Sequence, residues 1–403
     1  MNKKVKYLVL GAGPAGLTIG NKLKESEETS FLVVEKESEA GGLCRSADID
    51  KAPLDIGGGH FLDVRREEVN NFLFHFMPKE EWEHFERDSR IAVGEDEIGH
   101  PFEANIWQFT QEKQVKYLKS IALAGCNLGK PIPEKFIDWI EWKLGKCIAE
   151  DYMLPYNRKM FGDNLNELGT YWLEKLPDVS FEETLLSCLN RKAYGKQPGH
   201  AQFYYPKAYG YGEVWKRMGN ALGDHIAYGC AVERIDFEAH VVKVSTGDQI
   251  YGENIITTIP WTSFEKSGMP ETLENMLKKL KYSSVEITYY PESMNTEAQW
   301  IYYPDAALEY HRILVRGNFY KNASGYWTET NSDRYTQKEQ INFHNEYAYP
   351  LNTIEKPQIM GQVLAWAEQH KIYGLGRWGE WEHYNSDAVV ERAMELADRC
   401  MDL

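Results

Sequence analysis

The feature that most restricts the fold of this chain is a glycine-rich turn close to its N-terminus. Residues 5–10 (VKYLVL) are apolar enough to form a buried strand, and Gly11-Ala12-Gly13-Pro14-Ala15-Gly16 follows at once. Residues 17–24 then have helical spacing, and residues 31–34 (FLVV) form a second apolar segment that ends at Glu35. This order is typical of a βαβ unit with a parallel sheet. We therefore predict an α/β fold that opens on a dinucleotide-binding unit.

Each glycine of this turn has a physical role in such a unit. Gly11 allows the tight turn, Gly13 lets the backbone approach a pyrophosphate, and Gly16 lets the helix pack closely on the strand. The N-terminus of the helix presents free N–H groups and partial positive charge to the phosphates. Glu35 stands at the end of the second strand, where an acid binds a ribose. A glycine turn without a ligand is the alternative, but the strand, the helix and the acid together favour a dinucleotide site.

Composition narrows the choice of partners. The chain has 403 residues, and its 45 Lys+Arg against 61 Asp+Glu give a net charge of −16 with His neutral. An acid excess argues against nucleic-acid or anionic-membrane binding, which needs a dense basic field. No apolar stretch reaches the ~18 residues of a membrane span, so we expect no membrane insertion. The six cysteines lie far apart without a CxxC pair, which indicates no metal site and a reduced, cytoplasmic protein.

The composition and the periodicity of the sequence change along the chain and indicate three domains. Residues 66–195 are rich in Trp, Phe, Lys and Glu at helical spacing, which predicts an inserted helical domain. Residues 271–350 alternate as an antiparallel sheet does, with Arg312 on one of its strands. Residues 1–65, 205–270 and 351–403 would form one discontinuous Rossmann-like domain, and a final helix covers residues 386–401.

Two further glycine segments favour FAD over NAD as the dinucleotide. Glu35 with Gly41-Gly42 resembles the second fingerprint of glutathione-reductase-type flavoproteins, and Gly376-Arg377-Trp378-Gly379 resembles their late flavin-contacting segment. A nicotinamide enzyme has no reason to return a C-terminal glycine segment to the ring. The resemblance implies that FAD is held by Gly11, Gly13, Pro14, Ala15, Gly16, Glu35, Lys36, Gly42, Leu43, Gly58, Gly59, His60, Val232, Gly376, Arg377, Asn385 and Ser386.

Several short segments, in order along nearly the whole chain, resemble the UDP-galactopyranose mutase family. Residues 155–162 (PYNRKMFG) resemble its uridine-binding helix, residues 101–105 (PFEAN) its proline-aromatic turn, and residues 302–304 with 310–312 its phosphate-gripping strands. Residues 346–350 (EYAYP) resemble the segment with another diphosphate tyrosine. The resemblance implies that substrate is bound by Tyr156, Asn157, Phe161, Trp172, Arg191, Tyr302, Arg312, Tyr349 and His383, and that His60, Arg312, Tyr349 and His383 act in catalysis.

The chain departs from the family's pattern at several of these positions. Phe161 stands where the family has tryptophan, His383 where it has tyrosine, and Asn385 where bacterial members have aspartate. The loop after Leu176-Pro177 lacks the family's arginine, and Arg191 or Lys192 could supply that charge. These departures leave the sugar and the base open.

The activity that the resemblance implies is the interconversion of pyranose and furanose forms of a nucleotide-diphosphate sugar, such as galactofuranose formation. Reduced FAD would act as the nucleophile through N5, which requires NAD(P)H or another reductant. Arginine and tyrosine suit this substrate because they offer bidentate and neutral donors to phosphate. Two rival functions remain, an amine-oxidase or protoporphyrinogen-oxidase type of flavin oxidoreductase and a non-catalytic flavin-binding protein. The tryptophan-rich insertion also leaves a homo-oligomer open.

Each site residue also has an ordinary structural interpretation. Arg312 could form a surface ion pair with one of the many acids, and Tyr156 and Phe161 could be helix-core residues. His60 after two glycines could be a plain loop residue. We prefer the functional interpretations because the motifs occur together and in order.

Overall fold

The computed structural model describes residues 3–196, 199–321 and 323–401. In chain order the strands are β1 (Lys3–Leu10), β2 (Phe31–Val34), β3 (Ser46–Ile49), β4 (Ala52–Asp55), β5 (Leu62–Asp63), β6 (Trp82–Glu86), β7 (Ser89–Val93), β8 (Asp96–Gly99), β9 (Gln202–Pro206), β10 (Ile226–Ala227), β11 (Val232–Asp236), β12 (Val241–Val244), β13 (Gln249–Thr257), β14 (Glu265–Ser267), β15 (Tyr282–Tyr290), β16 (Trp300–Tyr302), β17 (Arg312–Val315), β18 (Tyr326–Asn331), β19 (Asn342–Pro350) and β20 (Ile372–Gly374). The helices are α1 (Pro14–Glu25), α2 (Glu67–Phe76), α3 (Gln111–Ala122), α4 (Phe136–Ile148), α5 (Leu154–Phe161), α6 (Phe181–Asn190), α7 (Gly212–Leu222), α8 (Glu271–Leu277), α9 (Lys356–Gln369), α10 (Gly376–Gly379) and α11 (Ser386–Met401).

An eight-stranded sheet forms the first layer of the molecule, in the order β10-β2-β1-β13-β12-β11-β14, with β20 also paired to β13. Its centre is parallel, since β1 pairs in parallel with both β2 and β13. All four residues of β2 are buried, as expected where helices cover both faces of a parallel sheet. The predicted βαβ opening is therefore present, and the chain returns to the same sheet at β10–β13 and β20.

A seven-stranded sheet, in the order β19-β15-β18-β17-β16-β7-β8, forms a second layer. Its strands from β15 onward pair antiparallel with one another. The register places Tyr302 of β16 opposite Arg312 of β17, and Arg312 opposite Glu329 of β18. This register brings three of the chain's chemically important side chains onto neighbouring strands.

The predicted helical insertion over residues 66–195 is wrong for residues 82–99, which form β6, β7 and β8. In β7, Ser89 and Ile91 are buried while Arg90 and Ala92 are only half-buried, so the period is two rather than 3.6. β7 joins the seven-stranded sheet by pairing in parallel with β16. The helical part of the insertion consists of α2 before these strands and α3 to α6 after them.

Local sequence explains where two of these helices begin. Ser180 and Glu183 form a capping box at the start of α6, with reciprocal hydrogen bonds of 3.1 and 2.8 Å. The Thr110 hydroxyl accepts from the backbone of Lys113 at the start of α3.

Within the described ranges, none of the helices combines the length and the apolar character that crossing a bilayer requires.

Candidate functional site

A cavity of about 610 Å³ lies at the carboxyl ends of β1, β2 and β13. Ligands of open α/β folds bind at this edge of the sheet. The predicted cofactor residues that line the cavity are Gly11, Gly13, Pro14, Ala15, Glu35, Lys36, Gly42, Leu43, His60, Val232, Arg377 and Ser386.

The glycine turn leaves no room for side chains where strand and helix meet. A Cβ atom on Gly16 would lie 1.9 Å from the carbonyl oxygen of Gly11, and Gly11 itself has a φ of +100°. Gly42, with a φ of +54°, approaches the backbone of Gly13 so closely that a Cβ atom would lie 3.2 Å from its Cα. The two glycine segments therefore form one surface of bare backbone beside the N-terminus of α1, which fits a pyrophosphate.

Glu35 lies at the end of β2, where the sequence predicted a ribose-binding acid. Its carboxylate accepts hydrogen bonds from the backbone N–H of Ala12 at 2.6 Å and of Glu37 at 3.0 Å. These bonds fix the side chain against the glycine turn on the cavity wall. The donor set, the bare backbone and the cavity volume together fit the FAD that the sequence predicts.

The opposite end of the cavity contains His60 and Arg377. The Nδ1 atom of His60 lies 2.8 Å from the carbonyl oxygen of Gly58, so it donates a hydrogen bond. Burial and the nearby Arg377 guanidinium lower the pKa of His60 to about 3, so this imidazole is neutral at pH 7. Arg377 donates to the carbonyl oxygens of Tyr384 and Ala348 and has no carboxylate partner among the described residues.

Arg312 lies beyond His60 in a buried polar cluster on β16 to β18. Its Nε donates to Glu329 Oε2 at 3.0 Å, and its Nη2 contacts the same oxygen. Burial acts to lower the pKa of Arg312, but Glu329 and the neighbouring tyrosines Tyr349, Tyr302 and Tyr156 together raise it. The second carboxylate oxygen of Glu329 accepts from the backbone N–H of Gly59 at 3.1 Å. This bond connects the cluster to the loop that carries His60.

Aromatic side chains surround Arg312. Tyr156 packs edge-on against Tyr302 at 5.4 Å between ring centroids, and Tyr349 packs against His383 at 4.9 Å. The Arg377 guanidinium lies 5.9 Å from the Tyr349 ring centre. Burial raises the pKa of Tyr349, and Glu329 adds to that shift, so its hydroxyl keeps its proton. The structure thus brings together predicted residues from four separate segments of the chain.

Several other predicted residues have their clearest contacts away from this cluster. Asn157 donates to the carbonyl oxygen of Met153 one turn back in α5, and Phe161 packs in the separate hydrophobic core of α4 and α5. The Trp172 ring packs on Phe136 and its N–H donates to Gly169. Arg191 lies over the Trp107 ring at 5.8 Å, and Lys192 is exposed. Their part in substrate binding stays a prediction.

The remaining predicted cofactor residues support the cavity from behind. Gly376 donates its N–H to Glu380, and a Cβ atom there would lie 2.9 Å from the Ala15 Cβ. A Cβ atom on Gly59 would lie 2.1 Å from a Leu314 methyl group, so this glycine lets the His60 loop approach the second sheet. Gly58 has a φ of +98°. The carbonyl oxygen of Asn385 accepts a hydrogen bond from the backbone N–H of Val389 in the first turn of α11.

Sequence reasoning missed part of the cavity wall and two members of the cluster. Thr258 follows directly after β13 and lines the cavity, so its place at a parallel strand end was the signal. His344 and Asn345 line it from β19 without a motif of their own. Arg87 and Glu329 belong to the cluster through tertiary pairing alone, which no local pattern reveals.

The comparisons with known proteins concern the fold of the chain. Residues 9–76 match the family model of the NAD(P)-binding Rossmann-like domain. A crystal structure of reduced UDP-galactopyranose mutase superposes with a TM-score of 0.90 at 20% identity, over 99% of this chain and 94% of that one. A putative protoporphyrinogen oxidase from Exiguobacterium sp. 255-15 reaches a TM-score of 0.70 at 13% identity over 99% of both chains. A redesigned putrescine oxidase reaches 0.67 at 13% identity over the whole of both chains. The predicted fold is confirmed, and it is one that mutase and oxidases share.

Proposed function

We propose that the protein is an FAD-dependent mutase that interconverts the pyranose and furanose forms of a nucleotide-diphosphate sugar. The observation that carries this proposal is the charge of the buried cluster. Arg87, Arg312 and Arg377 converge there, Glu329 pairs with Arg312, and in the described part of the chain neither Arg87 nor Arg377 pairs with a carboxylate. This excess of buried guanidinium charge, in a chain of net charge −16, is what an anionic ligand would neutralise.

The donors of the cluster suit a diphosphate in particular. Arg312 donates to Glu329 through Nε and Nη2, which fixes its orientation. Its side chain is 19% exposed, and a ligand would approach the remaining nitrogen, Nη1. A guanidinium binds two phosphate oxygens at once, which a lysine cannot do. The Tyr302 and Tyr349 hydroxyls add neutral donors beside it.

Tyr156 is half-buried on α5 and packs on the buried Tyr152, with ring centroids 5.7 Å apart. An aromatic face of this kind stacks on a nucleotide base. The ligand would then extend from the base on α5, through the diphosphate at Arg312, to the sugar beside His60. His383, in contact with Tyr349, takes the place of the family's tyrosine as a donor near the sugar.

FAD, when bound and reduced, supplies the nucleophile for the anomeric carbon, and the chain's residues do the remaining work. Gly11, Gly13 and Glu35 hold the dinucleotide, and the neutral His60 lies between the cavity and Arg312. Arg312, with Tyr349, stabilises the charge of the departing diphosphate and keeps it close enough to return. The reaction has no net redox change, so a reductant is needed only to bring the enzyme to its active state.

The test is an anaerobic assay with UDP- and GDP-linked pyranoses and furanoses, using oxidised and dithionite-reduced protein and chromatographic detection. We expect ring isomerisation only in reduced samples. Arg312→Lys should lower kcat/KM by at least about tenfold, because the bidentate contact is lost. Arg90→Lys is the matched control, since Arg90 lies in the same sheet but pairs with Asp88 and Glu97 near the surface.

A flavin oxidoreductase is the second candidate, because the putative protoporphyrinogen oxidase and the putrescine oxidase share the fold. It predicts that a substrate bleaches the oxidised flavin without isomerisation in any reduced sample. Tight FAD binding with neither result would instead indicate a flavin-binding protein without turnover. Each outcome of the assay therefore selects one of the three functions.

A further inference from the structure

The hydroxyl group of Tyr302 is held in an unusual hydrogen-bonding state. Its oxygen accepts from Arg87 Nη2 at 3.0 Å and from Trp300 Nε1 at 2.9 Å. A phenol oxygen has two acceptor positions and one proton to donate. Both acceptor positions are filled, and no acceptor for the proton is found among residues 3–196, 199–321 and 323–401. Because Tyr302 is 9% exposed, bulk water does not readily provide one.

Arg87 is fixed by neutral partners only. Its Nε donates to the Ser89 hydroxyl at 2.8 Å and its Nη1 to the carbonyl oxygen of Gly199 at 2.7 Å. The guanidinium also lies 4.8 Å from the ring centre of Trp300. Burial lowers the pKa of Arg87, yet an arginine stays charged in proteins. A full positive charge therefore rests against the Tyr302 oxygen and strengthens the hydroxyl as a donor.

The position of this donor relates it to the proposed substrate site. Tyr302 lies opposite Arg312 in the register of β16 and β17, and its ring packs against Tyr156. The unused proton of the hydroxyl and the Arg312 guanidinium thus belong to the same cluster. An anionic oxygen bound there would accept from both groups.

We propose that Arg87 and Trp300 are positioning residues that commit the Tyr302 hydroxyl to donate its proton to an anionic oxygen of the ligand. This inference rests on the proposed function, which makes that oxygen part of a nucleoside diphosphate. The bond is an ordinary hydrogen bond, so no proton leaves Tyr302. The competing interpretation is that Arg87 merely fastens β7 to β16 and to residue 199.

The experiment is a double-mutant cycle on UDP binding to the FAD-loaded protein, measured by titration calorimetry. Tyr302→Phe removes the donor, and Trp300→Phe removes one of the two bonds that orient it while keeping an aromatic ring. We expect each single variant to weaken UDP binding, Tyr302→Phe by about tenfold. The double variant should bind no more weakly than Tyr302→Phe alone, because Trp300 acts through the hydroxyl.

Uridine, which has no phosphate, provides the second arm. Trp300→Phe should leave uridine binding unchanged, whereas a general loss of packing would weaken both ligands equally. Trp142→Phe is the matched control, since it removes an indole N–H bond to a backbone carbonyl in the helical region. If Trp300→Phe does not fold, Arg87→Lys replaces it in the same cycle, because lysine offers no second nitrogen to reach the hydroxyl.

The outcomes separate this inference from the proposed function. Additive losses in the cycle, or an equal loss for uridine, would overturn the positioning role while wild-type UDP binding still supported the proposed function. If the wild-type protein bound neither UDP nor GDP, the nucleoside-diphosphate ligand itself would be wrong, and both proposals would fail. Non-additive losses confined to the diphosphate would establish the positioning role of the residue varied against Tyr302, and running the cycle with Trp300→Phe and again with Arg87→Lys tests both.

Discussion

Asp55 at the end of β4 offers a direct test of the electrostatics beneath the cofactor cavity. Its carboxyl group is fully buried and accepts from the Ser46 hydroxyl at 2.6 Å, the Tyr205 hydroxyl at 3.0 Å and the Tyr211 backbone at 3.1 Å. Burial raises the pKa of Asp55 to about 7, although the three donors oppose the shift. Tyr211 in turn bonds Ser386 on the cavity wall.

The sign of the effect follows from proton binding in the two states. An unfolded aspartate loses its proton near its ordinary pKa of about 3.9, whereas folded Asp55 keeps it to about 7. The folded state therefore binds more protons between these values, and stability falls as pH rises through them. About three pKa units correspond to about 4 kcal/mol, of which about 3 kcal/mol is lost between pH 5 and pH 8.

Asp55→Asn removes the titration and keeps the shape of the group. The amide oxygen can accept from Ser46 and Tyr211, and the amide nitrogen can donate to the Tyr205 oxygen after that hydroxyl turns. The variant should therefore lack the loss of stability between pH 5 and pH 8. For a chain of this length, a difference of about 3 kcal/mol corresponds to about 3 °C in Tm.

The assay is thermal unfolding of FAD-saturated protein at a series of pH values, compared between wild type and variant. Asp48→Asn is the matched control, because Asp48 lies on the same hairpin but is exposed. We expect the Asp55→Asn curve to converge with or cross the wild-type curve as pH rises, and the Asp48→Asn curve to run parallel to it. Parallel curves for Asp55→Asn would show that this carboxyl group titrates outside the range, and would refute the reasoning.

Two further predictions concern the glycine turn of the cofactor cavity and the Arg312–Glu329 pair. Gly16→Ala should abolish FAD binding, measured by flavin content after purification, because its Cβ would lie 1.9 Å from the Gly11 carbonyl oxygen; Gly361→Ala, in an open position of α9, should keep FAD and gain about 1 kcal/mol. Arg312→Met should lose about 3–5 kcal/mol of unfolding free energy in urea titrations, since it leaves the buried Glu329 carboxylate uncompensated. Adding Glu329→Gln should recover most of that loss, and a double variant as unstable as Arg312→Met would contradict the explanation.

Much of the fold could be predicted because its signals are local. The bounds expected for β2 and α11 agree with the structure, since each is a contiguous run of one period between clear breaks. The strands β6 to β8 escaped because they are short and their partners are distant; Ser89, for example, pairs with Trp300. Short apolar segments carry too few residues to distinguish a period of two from one of 3.6.

The parts of the site that the backbone forms could be predicted from the sequence, whereas the parts formed by side chains from distant segments could not. The glycine turn and Glu35 are specified by local geometry, and both lie on the cavity wall as expected. The sequence could not predict the role of Arg87. That role depends on the lack of a carboxylate partner among the described residues, and only the folded chain shows which side chains lie near it. Glu329 was invisible for the complementary reason, since it is one of many acids until the register of β17 and β18 places it opposite Arg312.

The choice between mutase and oxidase rests on the second sheet rather than on the first. Both kinds of protein share the overall fold, so the fold does not distinguish them. An oxidase of an apolar amine or porphyrin precursor would favour an apolar space beside the flavin, where buried guanidinium groups would be a burden. This chain instead places Arg312 and Tyr302 on neighbouring strands, and Arg87, from the turn between β6 and β7, bonds to the Tyr302 hydroxyl. An anion in the site would neutralise their positive charge, and this is why the cluster favours a substrate with a diphosphate.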